Sequence, residues 1–287
     1  MKRCVLILFM LLFTTFSVAQ TRFALLVGIG QYPADSGWMQ IHGENDISII
    51  SPLLLELGFL ENNITALSNE EATKGAIVAA LNNVREKAKR GDVVYIHFSG
   101  HGQQVTDLDG DEDDYFDEAW VPYDAAKRYE AGVYEGQNHI LDDELKLFLS
   151  GLRAKVGPEG KIVVVSDACH SGSGSRGSID DELPVRGTNE RFIIPIAGPN
   201  VKKKEAPVNW LYVGACKPYQ TNHEHYSSDG QFYGSLSFVI VDSRQDMVNS
   251  SYKDILDIWR SRLALLSRYP QDMDDEGRPS KRSNSMF

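Results

Sequence analysis

Cysteine is scarce in this 287-residue chain, with three residues in all, and one of them, Cys4, lies close to the start. So few thiols exclude a disulfide framework, and a domain of this size needs none to hold a core. Long apolar runs are missing beyond the first twenty residues, so no later segment reads as a membrane-spanning helix. Positive charge is in deficit: 29 Lys and Arg against 40 Asp and Glu leave a formal net charge of -11. That balance argues against nucleic acid or an anionic membrane as partner and favours basic ligands. Gly28-Ile29-Gly30 lacks the third glycine of a dinucleotide fingerprint, so a nucleotide site is not expected. No internal repeat is evident.

Residues 1–20 stand apart from the rest. Lys2 and Arg3 precede an apolar run over 5–13, and Ser17-Val18-Ala19 before Gln20 has the small-x-small form of a leader cleavage site. The run is shorter than the roughly 20 residues a spanning helix needs. The expectation is a secretory signal peptide and a secreted or periplasmic product with no membrane attachment. Losing Lys2 and Arg3 with it lowers the net charge from -11 to -13. Cys4 leaves too, so Cys169 and Cys216 remain.

From residue 23 onward, short apolar runs alternate with amphipathic stretches. Strands are expected over 23–29, 64–67, 92–98, 161–166 and 210–214, and helices over 45–57, 73–89, 142–152, 232–241 and 252–266. Asp142 reads as an N-cap with Asp143 and Glu144 in the first turn. This is the rhythm of an α/β domain over 21–287, with a mostly parallel sheet of about six strands. An acidic loop is expected up to residue 118 and a loosely packed polar tail from residue 270. Between residues 172 and 208 the composition turns to Ser, Gly, Pro and basic residues, and a loop that long inside a domain is functional or disordered.

Two strand ends carry reactive residues. The first runs into Ser99-Gly100-His101-Gly102, and the second into Asp167-Ala168-Cys169-His170-Ser171-Gly172. A thiol needs a base to become a thiolate, and acyl transfer needs backbone donors for the oxyanion. His101 fits the base and Cys169 the nucleophile, with the N–H groups of Gly102 and Cys169 facing the oxyanion. His170 and Cys216 read as structural.

These motifs resemble the caspase-like cysteine peptidases, specifically the metacaspase group and its bacterial relatives. The likeness extends over Ala24-Leu25-Leu26-Val27-Gly28-Ile29, Glu44-Asn45-Asp46, Asp117-Glu118, Pro122-Tyr123-Asp124 and Leu141-Asp142-Asp143-Glu144-Leu145, nearly all of the mature chain. The true-caspase signature Gln-Ala-Cys-x-Gly is absent. The resemblance implies a caspase-like three-layer αβα sandwich and an endopeptidase acting on peptides or proteins with Arg or Lys at the cleavage site. The cation would sit in a pocket of Asp167, Asp46 and Ser99, where charge-assisted hydrogen bonds suit a guanidinium. The resemblance also implies calcium at Asp117, Asp142 and Asp143, although Gly174, Ser175 and Arg176 stand where a further acidic ligand usually follows the nucleophile. No cofactor is required, and the domain is expected to be a monomer.

Other signals count for less. The stretch from Asp107 to Glu118 imitates an EF-hand, but Glu112 occupies the position that needs glycine. His223-Glu224-His225 reads as plain polar surface rather than a metal site. The basic loop with Arg176, Arg186, Arg191 and Lys202-Lys203-Lys204 offers exposed sites for self-cleavage. A catalytically silent caspase-fold adaptor and an acyl-transferring transpeptidase stay open as alternatives.

Overall fold

The computed structural model describes residues 20–110, 112–170, 183–195, 208–248 and 250–287. The signal-peptide expectation therefore falls almost wholly outside the described residues. Chain order runs β1 (Arg22–Gly28), α1 (Gly43–Glu56), β2 (Ile64–Ser68), α2 (Lys74–Lys87) and β3 (Val93–Ser99). A small antiparallel sheet of β4 (Gly102–Thr106), β5 (Phe116–Trp120) and β6 (Ile140–Leu141) follows, then α3 (Asp142–Val156) and β7 (Lys161–Asp167). The rest comprises β8 (Leu211–Gly214), the hairpin β9 (Glu224–Tyr226) and β10 (Phe232–Gly234), α4 (Ser235–Asp242), α5 (Tyr252–Leu266) and β11 (Asp274–Gly277).

The main sheet has the order β11-β8-β7-β3-β1-β2, parallel throughout except for β11. Its central strands β1, β3 and β7 are apolar on both sides because both faces are covered. Leu25, Val27, Ile96 and Val164 pack with α2 and α3 through Ile77, Leu81, Leu149 and Leu152. On the opposite face Leu26, Tyr95, Val163 and Val165 meet α1, α4 and α5 through Ile50, Leu54, Val239 and Trp259. This is the expected αβα sandwich. No described helix is long and apolar enough to cross a membrane.

The differences from the sequence expectation lie at the edges. The acidic stretch is the turn of the β4–β5 hairpin. Asp107 is used up within it, its carboxylate accepting the N–H groups of Asp109 (2.8 Å), Gly110 (2.6 Å) and Glu112 (3.2 Å). The tail is not loose: β11 pairs antiparallel with β8, and Met273 and Met286 are buried. The segment 232–241 splits, because Phe232-Tyr233-Gly234 extends to pair with β9 before α4 begins. Asp142 is the first helical residue of α3 and Leu141 its N-cap, so the Asp142 carboxylate reaches Lys146 at 2.7 Å instead of capping the turn.

Candidate active site

The register of β3 against β7 pairs Ser99 with Asp167, so both reactive residues lie two positions beyond the same rung. They emerge at the carboxyl ends of parallel strands, where open α/β sheets place their sites. Gly102 is pressed against the Cys169 main chain: a Cβ there would lie 2.7 Å from the Cys169 carbonyl oxygen and 2.8 Å from His170 Nδ1. Val121 N–H donates to the His101 carbonyl at 3.0 Å, which makes 101–121 a hydrogen-bonded pair of the β4–β5 ladder. Gly102, one residue on, therefore turns its N–H away from β5.

His101 is buried and held from three sides. Its ring stacks on Trp38 (centroids 4.8 Å, planes 24° apart) and tilts against Tyr32 at 5.0 Å. Its backbone N–H donates to the Tyr32 hydroxyl at 2.9 Å, and Nε2 lies 2.8 Å from the Met39 carbonyl oxygen. A carbonyl only accepts, so Nε2 carries the proton and Nδ1 keeps its lone pair. Nδ1 has no hydrogen-bond partner among the described residues. Burial, outweighing the Met39 contact, lowers the His101 pKa to about 4, so the ring is neutral at pH 7. A buried, neutral imidazole with one open nitrogen is a proton acceptor in waiting.

The Cys169 thiol donates to the Gln220 carbonyl at 2.7 Å, and Cys216 Sγ approaches the same oxygen at 3.5 Å. Cys216 is pushed up in pKa, first by its hydrogen bond with Cys169 and then by burial, so it stays a thiol. His170 Nδ1 is buried too and likewise has no hydrogen-bond partner among the described residues, and desolvation lowers the pKa of the ring to about 4.

The three expected pocket residues converge, and a third acid, Glu224, joins Asp46 and Asp167. Arg186 fills the space between them, with its side chain and those of Asp46, Asp167 and Glu224 all 0% exposed. Its Nη1 donates to Asp46 Oδ2 at 2.6 Å and to Ser99 Oγ at 3.1 Å. Its Nε and Nη2 donate to Glu224 Oε1 at 3.0 and 2.9 Å. Asp167 is less direct: Nη1 lies 3.7 Å from Oδ1, and its carboxylate accepts from Asn222 Nδ2 (2.8 Å) and from Ser237 N–H and Oγ (2.7 Å each). It supplies field while the first turn of α4 holds it in place. Burial works against the Arg186 charge, but Asp46, Glu224 and Asp167 together raise its pKa. Gly234 forms the floor, because a Cβ there would run into Asp167 Oδ2 and Arg186 Nη1.

Two expectations are overturned at this point. Glu224 is not surface: it is 1% exposed, and His42 also holds it, through its N–H at 2.8 Å and Nδ1 at 2.6 Å. Arg186 is not an exposed loop residue but is 0% exposed. Arg176 and Lys202-Lys203-Lys204 lie outside the described residues, as do Gly174 and Ser175.

The backbone completes the picture. The Arg186 carbonyl accepts the Cys169 N–H at 2.7 Å. Arg186 N–H donates to the Asn222 carbonyl at 2.9 Å, Glu224 N–H donates to the Pro184 carbonyl at 2.9 Å, and Val185 bridges antiparallel to His223. Residues 184–186 thus lie as an added strand on the edge at 222–224, a standard mode of peptide recognition. Downstream, Phe192 bridges parallel to Val105 on the outer edge of β4 and is itself fully buried.

A second acidic group lies where the β4–β5 hairpin meets the start of α3. Ligand oxygens of Glu112, Asp117 and Asp142 come within 4.8 Å of one another, and Asp143, expected among them, is outside this set. Adjacent helical residues diverge by about 100°, so Asp142 and Asp143 do not share a face. Glu118 beside them is raised to about pKa 8 by burial and by Asp142, Glu112 and Asp114. Glu112, Glu118, Asp142, His170 and Cys216 all line one cavity of ≈ 260 Å³.

Residues 21–286 match the caspase domain family. Metacaspase-1B of Aspergillus oryzae is 26% identical over 297 residues, 87% of this chain and 67% of that protein. Metacaspase-1A of the same fungus is 34% identical over 162 residues, 53% of this chain and 35% of that protein. This chain spans no more than about two thirds of either relative's length. A crystal structure of a Geobacter sulfurreducens protein superposes with a TM-score of 0.62 at 20% identity, covering 91% of this chain and 95% of that one.

Proposed function

We propose that this chain, which belongs to the caspase domain family of cysteine peptidases, cuts peptide bonds on the carboxyl side of Arg or Lys and processes itself after Arg186. The observation that carries the reading is Arg186, with its guanidinium among Asp46, Ser99, Asp167 and Glu224 and its carbonyl oxygen on the Cys169 N–H. Side chain and scissile carbonyl are thus held at once, as a cleaved residue must be.

In the proposed reaction the Cys169 thiol leaves the Gln220 carbonyl and gives its proton to His101 Nδ1. The thiolate attacks the Arg186 carbonyl carbon, and the Cys169 and Gly102 N–H groups stabilise the oxyanion. His101 then protonates the departing Gly187 nitrogen, leaving a thioester that water hydrolyses to a carboxylate at Arg186. Met39 keeps Nε2 protonated throughout, so Nδ1 alone shuttles the proton.

Calcium belongs to the proposal as a regulator. Glu112, Asp117 and Asp142 are hard oxygen donors of the kind Ca²⁺ takes, and the residues fit the ion if Lys146, 2.7 Å from Asp142, gives way. Export through the leader over residues 1–20 is the remaining part, checked by the N-terminal mass of the mature protein.

The test is turnover of quenched peptides with Arg, Lys or Asp at the cleavage site, with calcium or chelator, alongside the intact mass of the chain itself. Cys169→Ala is the control. Cleavage after Arg and Lys with a new N-terminus at Gly187 is expected. Preference for Asp, or equal turnover by Cys169→Ala, would refute the reading.

A further inference from the structure

We infer that the cleft selects glycine immediately after the cleaved residue, so that its substrates are Arg–Gly and Lys–Gly bonds. The inference rests on the proposed function and narrows its substrate class. It follows from how residues 184–192 cross the nucleophile.

The segment is pinned on both sides of Cys169. Upstream, the Arg186 N–H bond to Asn222 (2.9 Å) and the Glu224 N–H bond to Pro184 (2.9 Å) fix its strand register. Downstream, Gln103 Nε2 donates to the Glu190 carbonyl at 2.8 Å, Phe192 N–H donates to the Gln104 carbonyl at 2.8 Å, and Thr106 N–H donates to the Phe192 carbonyl at 3.0 Å. The bond between residues 186 and 187 is drawn across the nucleophile with little room to slide.

At position 187 there is no space for a side chain. A Cβ would run into the Cys169 carbonyl oxygen and lie 3.0 Å from Cys169 Cβ and 3.1 Å from its carbonyl carbon. All three atoms belong to the nucleophilic residue near its own backbone, so none can swing aside as a long side chain would. Cys169 is itself held, because its N–H bonds the Arg186 carbonyl and Gly102 also packs closely against its carbonyl. A substrate with Cβ at this position must therefore shift its scissile carbonyl off the oxyanion donor, and a displacement of about 1 Å costs up to about 100-fold in rate. Val185, by contrast, is partly exposed, and the position before the arginine imposes no comparable limit.

The experiment has two arms. Self-cleavage of the full-length chain after Arg186 is timed by intact mass for wild type, Gly187→Ala and Gly187→Ser. In parallel, kcat/KM is measured on quenched peptides Pro-Val-Arg-x-Thr with x as Gly, Ala or Leu. We expect self-cleavage at least tenfold slower in both variants and at least a tenfold preference for Gly over Ala in the peptides. If the seated segment keeps peptides out, the chain variants decide. Equal rates for Gly and Ala would overturn the inference while leaving the Arg/Lys reading intact. Cleavage of Arg peptides by a wild-type chain that never cuts at 186–187 would overturn it too, since the seated segment would not be substrate-like. If neither chain nor any Arg or Lys peptide is cut, with or without calcium, the functional reading falls and takes this inference with it.

Discussion

Replacing Arg186 by methionine removes the guanidinium from among three carboxylates while keeping most of the side-chain volume. All four side chains are 0% exposed, so solvent screens little of what is lost. Removing one partner of a buried ion pair costs about 3–5 kcal/mol because a charge is left uncompensated. Here the guanidinium serves Asp46 and Glu224 directly, but Gly234 N–H still bonds Asp46 at 2.9 Å and His42 still bonds Glu224 at 2.6 Å. The loss therefore belongs within that range rather than at double it. At about 2–4 °C per kcal/mol for a domain of this size, melting should fall by about 10 °C. The comparison is made in the Cys169→Ala background, so that self-cleavage does not intervene. The deficit should grow with pH. Without the cation, the burial that pushes the Glu224 carboxyl upward is opposed by His42 alone, so the folded state holds a proton there that the unfolded state gives up, and it loses stability as pH rises through the raised value. The gap between variant and parent should be larger at pH 8 than at pH 5. Agmatine, a free guanidinium ligand, should raise the melting temperature of Arg186→Met and leave the parent unmoved. A variant melting within ~2 °C of its parent at pH 8, less than 1 kcal/mol on this scale, and blind to agmatine would refute the reasoning.

Glu224→Gln should raise KM for Arg peptides by about 30-fold or more, equivalent to about 2 kcal/mol for a truncated charge pair, with a smaller change in kcat; steady-state kinetics checks this. Trp38→Ala should expose the His101 ring, lift its pKa from about 4 and move the acid limb of the kcat/KM profile upward, with Trp38→Phe restoring it. His101 and His170 are both held near pKa 4 by burial against about 6.5 unfolded, so the unfolded state binds more protons below pH 6.5. Stability is therefore full above that pH and falls toward pH 4 by about 3 kcal/mol per histidine, and urea unfolding of His170→Gln should show a flatter acid decline. Lys146→Ala should tighten calcium binding by about tenfold by removing the competing ammonium, and Asp142→Asn should weaken it; calorimetry with CaCl₂ reads both.

The sheet was legible because its central strands are covered on both faces. β1, β3 and β7 read as near-continuous runs of Val, Ile, Leu and Phe, a pattern that needs no knowledge of what covers them. The His101 and Cys169 pair was legible for a similar reason, since each follows such a strand, His101 lies between Gly100 and Gly102, and Gly172 comes soon after Cys169. β4 and β5 escaped notice because Gln103-Gln104 and Asp117-Glu118 interrupt the alternation, and β11 because Asp274-Asp275-Glu276-Gly277 is polar. An edge strand needs only backbone pairing with β8, which composition does not reveal.

His101 and Cys169 could be named from the chain alone because each follows an apolar strand, whereas Asp46, Ser99 and Asp167 are named only through the resemblance to the caspase-like peptidases. Glu224 and Arg186 could not. Glu224 is flanked by two histidines in a polar stretch, and only its place at the start of a hairpin strand, with aromatics at Tyr226 and Phe232, hinted at structure. Arg186 lies in a loop with no periodicity, 140 residues from Asp46 and 38 from Glu224. Local patterning determined the alternating α/β order and the candidate nucleophile and base, since hydrophobic periodicity and backbone geometry act over a few residues. Only the tertiary structure decided which cation fills the acidic pocket and that its carbonyl rests on Cys169. Charge pairing across such separations depends on chain closure that no local pattern encodes.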